Sequence, residues 1–115
     1  MIHRLHLRPT YFKYVKYGTK RIEVRLYRDK YLKFNPGDQI DFYTDDTENE
    51  APYTADITTI YVYPNLESLL DAYPIELFAD KTVTKQGLLD IYNDLYSAEE
   101  QQKYPIIGFK IKPLE

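Results

Sequence analysis

The stretch GTKRIEVR, Gly18 to Arg25, sets one glutamate among three cations while its apolar residues alternate. Ile22 and Val24, continued by Leu26, form one side of an extended segment, and Arg21, Glu23 and Arg25 form the other. Period-two alternation is the pattern of a β-strand with two unlike faces. Two readings compete for the charged face. One is a solvated salt-bridge ladder, worth at most about 1 kcal/mol per pair. The other is a charged constellation that holds a ligand.

The flanking sequence frames this strand. IHRLHLR sets Leu5 and Leu7 against Arg4, His6 and Arg8, which predicts a first strand at 2–8. PTYFKYVKYG opens on Pro9, repeats apolar positions at Phe12 and Val15 and closes on Gly18, which predicts a helix at 9–17 with a left-handed cap. NPGD is a turn into a strand at 39–44, and YTADITTIYVY predicts a strand near 53–63. Between them DDTENEAP, 45–52, reads as an exposed acidic loop.

Asn65 and Thr84 are placed to cap two amphipathic helices, and Ser97 with Glu100 has capping-box spacing ahead of a last strand, IIGFKIK. The order strand, helix, three strands, helices, strand predicts one small α+β domain over 1–115. A compact mixed sheet or small barrel of about five to six strands with peripheral helices accommodates it.

Composition narrows the chemistry. With no cysteine, disulfides, thiolate catalysis and cysteine-bound zinc are excluded, and a reducing cytoplasm is compatible. His3 and His6 fall on opposite strand faces, so neither metal nor cofactor is expected. No apolar run reaches the roughly 20 residues of a membrane span, and the N-terminus lacks a signal peptide's apolar core. No phosphate-loop, dinucleotide or serine-hydrolase motif occurs.

Residues 1–34 hold ten Lys or Arg against two acids, and residues 35–115 hold five against sixteen, so +8 is followed by −11. Such asymmetry suits either a polyanion-binding face or two parts that neutralise each other across the fold. Thirteen tyrosines suit core-edge packing, with base stacking as the minority use.

The run GTKRIEVRLYRDKYLKFNPGDQIDFY resembles the ASCH domain family through its G-x-K-x-x-E-x-R element and the later G-D before a strand. Gly18, Lys20, Glu23, Arg25, Gly37 and Asp38 match. RPTYFKYVKYG resembles the helix leading into that element, and YSAEEQQKYPIIGFKI resembles the closing segment. The resemblance implies a PUA-like β-barrel with a cleft for RNA or a nucleoside-like ligand, in a cytoplasmic monomer or weak homodimer. Gly18, Lys20, Glu23 and Arg25 are then the candidate binding residues. Lys20 and Arg25 would attract phosphate and Glu23, as a rim carboxylate contributing little to folding, would accept from a base amine.

Some ASCH-like proteins are amidohydrolases acting on N4-acetylcytidine, with a threonine three residues after the motif lysine and a distant glutamate; others are described as ribonucleases. Here the threonine position holds Glu23, which puts direct nucleophilic attack in doubt. If the protein is an enzyme, Lys20 and Glu23 are the catalytic candidates, with Glu76 or Asp80 as a second carboxylate.

Overall fold

The computed structural model describes residues 1–45 and 50–114. Residues 46–49 of the expected acidic loop lie outside the described residues. The order is β1 (Ile2–His6), α1 (Pro9–Lys16), β2 (Ile22–Leu26), β3 (Gln39–Tyr43), β4 (Tyr53–Tyr63), α2 (Leu66–Ala72), α3 (Lys85–Leu95), α4 (Ala98–Lys103) and β5 (Ile106–Pro113), with 3₁₀ turns at Asp29–Tyr31 and Ile75–Phe78. The expected strand at 2–8 ends at His6 because Pro9 already opens α1, although the Leu7 N–H still donates to the Tyr43 carbonyl at 2.8 Å.

The caps form as their residue types dictate. The Asn65 side chain accepts from the Ser68 N–H, Thr84 from the Gly87 N–H, and Ser97 with Glu100 makes the full capping box.

Five strands form one curled half-barrel sheet in the order β1-β3-β4-β5-β2. β1 runs parallel to β3, and the other three pairings are antiparallel. β1 and β2 are therefore the two free edges, and the barrel stays open between them.

β5 is apolar on both faces, so it anchors two cores. Ile107, Phe109 and Ile111 join Leu5, Phe12, Val15, Ile40, Phe42 and Ile57 in an inner core. Ile106 joins Ile22, Val24 and Leu26 of β2 in an outer core against Leu66, Leu69, Phe78 and Leu88. Gly108 lets the outer layer close, since a Cβ there would stand 3.3 Å from Leu69.

The register pairs Glu23 with Phe109 and Arg25 with Ile107. Residues paired across strands share a face, so the charged side of β2 turns toward the inner core. The solvated-ladder reading of the charged face fails here: β2 is covered on both faces, with Arg25 alone partly open.

Gly18 has φ +81°, and just after it the Thr19 and Lys20 N–H groups both donate to the Tyr14 carbonyl at 3.0 Å. That reversal sends the next side chain inward. Gly18→Ala has space, the nearest atom to a new Cβ being 3.6 Å away, so it isolates the backbone cost of a left-handed residue. A loss of about 1–2 kcal/mol in urea unfolding is expected.

Candidate functional site

Lys20 is 1% exposed, and its Nζ meets three acceptors: the Ile22 carbonyl at 2.8 Å, the Phe78 carbonyl at 2.9 Å and Glu23 Oε1 at 3.3 Å. The Tyr11 ring lies 5.6 Å away. Three acceptors match the three N–H bonds of an ammonium, whereas a neutral amine would set its lone pair against an oxygen. Burial nevertheless pulls its pKa below the ordinary lysine value against the opposing pull of Glu23.

Glu23 is 3% exposed, with Oε2 2.7 Å from Arg25 Nε. Burial alone would raise its pKa, but the charges and hydrogen bonds of Arg25 and Lys20 outweigh it and hold the carboxylate below its usual range. Burial likewise opposes the Arg25 charge, and Glu23 more than compensates, raising that guanidinium's pKa. Arg25 Nη2 then donates to the His6 carbonyl of β1 at 2.7 Å, so one side chain stitches the two free edges of the half-barrel.

Beside this stitch is a cavity of about 260 Å³ lined by residues of β1, β2, α1 and α3. Glu23 and Arg25 lie in its wall with His6 and Arg8, and Tyr11, Tyr92 and Tyr96 add aromatic surface. Burial keeps the Tyr92 hydroxyl protonated far above its ordinary range.

Of the sequence candidates, Glu23 and Arg25 reach the cavity. Lys20 stands behind Glu23 instead of projecting over the cleft, and Gly18 positions the chain without lining it. Glu76 is exposed and Asp80 binds Thr82; neither lines the cavity. Glu23 is no rim carboxylate, because its face of β2 turns toward the inner core and Lys20 and Arg25 enclose its carboxylate. Sequence reasoning missed Tyr92 and Tyr96, although their i,i+4 spacing on a helix was a usable signal; the stacked rings have centroids 6.4 Å apart. Among the described residues, no group of three or more His, Asp or Glu side chains is arranged to hold a metal.

Charge neutralisation across the fold is partial. Lys16 pairs with Glu50 at 3.2 Å and Arg28 pairs with Glu100, while Arg8 at the cavity mouth pairs with no described acid.

Removing Glu23 leaves two cations facing each other in a buried site. Glu23→Gln is therefore expected to cost about 3–5 kcal/mol in chemical unfolding. Because the folded-state pKa of Glu23 lies below its unfolded value of about 4.3, its contribution is complete above that value. It fades as pH falls through the lowered folded value. Stability measured from pH 7 to pH 2 should show this acid loss in the wild type, and Glu23→Gln should lack that component.

The whole chain can now be set beside known proteins. The hypothetical protein PH0355 superposes with a TM-score of 0.85 at 26% identity, covering 99% of this chain and 100% of that one. Protein PF0455 from Pyrococcus furiosus gives 0.76 at 25% identity, covering 100% and 99%. The ASCH protein from Zymomonas mobilis shares the fold with a TM-score of 0.67 at 18% identity, over 96% of this chain and 66% of that one. Among functionally curated proteins none matches. The ASCH domain model matches residues 5–115, nearly the whole length, and the half-barrel with its helices is the PUA-like fold expected of that match: the chain belongs to the ASCH domain family.

Proposed function

We propose that residues 1–115 form a single ASCH domain that binds RNA, or a modified nucleoside from it, in the cavity at the barrel seam. The observation that carries this reading is the Lys20–Glu23–Arg25 chain, buried at one end and opening into an aromatic cavity at the other. Arg25 retains 18% of its side-chain surface, so its guanidinium can meet a phosphate or base from within the wall. Tyr11 and Tyr96 offer ring surface to a base, and Arg8 adds a cation at the mouth. At about 260 Å³ the cavity lies just below the roughly 300–1,000 Å³ of typical ligand sites, a size for one base or nucleoside. The absence of cysteine agrees with a cytoplasmic setting, and among the described residues no helix is long and apolar enough to cross a membrane. A monomer or weak homodimer suffices, since one chain supplies the whole cavity lining.

Binding is favoured over hydrolysis by the state of the two catalytic candidates. Both Glu23 oxygens are engaged by cations and its pKa is lowered, which makes it a weak proton acceptor. All three Lys20 protons are engaged, so it offers no lone pair for attack.

Short single-stranded RNA, titrated by fluorescence anisotropy, should bind with an affinity that falls as salt rises, by a log–log slope of about −0.7 per phosphate neutralised. Arg8→Ala should flatten that slope by about one contact while leaving unfolding unchanged. N4-acetylcytidine should bind without turnover. Turnover that Glu23→Gln abolishes, with the fold and binding retained, would overturn the binding reading in favour of the amidohydrolase.

A further inference from the structure

β2 has a free edge, and its ladder with β5 shows which backbone groups point there. The Ile111 N–H donates to the Arg21 carbonyl at 2.9 Å and the Tyr27 N–H to the Pro105 carbonyl at 2.8 Å. In an antiparallel pair hydrogen-bonded residues alternate with residues whose N–H and C=O face away. The odd-numbered residues of β2 therefore use their backbone on β5. Ile22, Val24 and Leu26 direct theirs toward the seam.

On either side of Val24 the carbonyls of this edge are capped. The Ile22 carbonyl accepts from Lys20 Nζ at 2.8 Å. The Leu26 carbonyl accepts from the Arg28 N–H at 2.9 Å. Neither backbone group of Val24 has a partner among the described residues, and Val24 lines the cavity between Glu23 and Arg25, whose backbones are turned to β5. The two caps come from opposite ends of the strand and stop one residue short of each other.

We infer that the Val24 N–H and C=O read the Watson–Crick edge of a pyrimidine held in the seam cavity, taking the place of the strand that β2 lacks. The inference rests on the nucleic-acid reading of the cavity given above. An extended residue presents its donor and acceptor side by side in one direction, and a paired strand residue satisfies both at once. N3 with N4 of cytosine, or N3 with O4 of uracil, presents the complementary adjacent pair. The same backbone-to-edge logic binds extended peptides to free strands. A one-ring base suits a cavity of about 260 Å³, with Leu95 at the end of α3 and Tyr96 just after it offering wall against its face. Because the reading atoms belong to the main chain, no side-chain motif would announce them.

The test is an NMR titration of the intact, ¹⁵N-labelled protein with cytidine and with uridine. The Val24 amide resonance should shift and its hydrogen exchange should slow, and N3-methylation of uridine should weaken affinity by about tenfold or more, because the N3 hydrogen bond is lost and the methyl group stands against the Val24 carbonyl. C5-methylation, which leaves that edge intact, should change affinity by less than about threefold. Shifts at Arg25 and Tyr96 with Val24 unmoved, and equal binding of the N3-methyl nucleoside, would overturn the edge-reading inference while leaving nucleoside binding in place. No perturbation by either nucleoside at millimolar concentration would overturn both.

Discussion

A carboxylate at the bottom of an open barrel governs this molecule. Burying an unpaired Glu23 would cost several kcal/mol, so its position demands cations that are themselves satisfied. Lys20 answers from one side, holding two main-chain carbonyls as well as the acid, and Arg25 answers from the other. Several otherwise unrelated features meet those demands. Gly18 takes a positive φ so that the chain can turn Lys20 inward, and the Ile75–Phe78 turn presents the Phe78 carbonyl that receives it.

The same ion chain manages the gap in the sheet. A curled sheet with two free edges exposes unpaired backbone groups, which fold stably only if something covers or caps them. Arg25 crosses the gap to the His6 carbonyl, Lys20 caps the Ile22 carbonyl, and the Arg28 N–H caps that of Leu26. The Val24 backbone between them is left uncapped, and Val24 lines the cavity. The barrel seam thus combines charge, aromatic surface and free backbone, the features that the proposed recognition of a base would use, because the strands fail to close.

Away from the seam the fold relies on ordinary means. The Asp38 carboxylate after the Gly37 turn lies 2.8 Å from His3 Nε2, and the His3 ring stacks on Phe34 at 3.8 Å, tying β1 to the turn before β3. Gly37, at φ +93°, makes that turn possible. The G-D element that marks the family in sequence therefore works as a structural clamp on the edge strand, some distance from the ion chain.

The sequence by itself determined the elements and the family. Alternation in RIEVRLY and IIGFKIK, Pro9 and Gly18 at the ends of α1, and the caps at Asn65, Thr84 and Ser97 are local signals, because hydrogen bonding and side-chain direction within a few residues decide them. It also singled out Lys20, Glu23 and Arg25 as one group. Only the tertiary structure decided that both faces of β2 are covered. Alternation separates two faces without saying whether charge meets water or a core, and here the curl of the sheet turned the charged one inward. The inward position of Lys20 was set the same way, since the Phe78 carbonyl that it meets is 58 residues distant. The cavity's tyrosines and the uncapped Val24 backbone depend on which strands end up unpaired, a property of topology that no single segment carries.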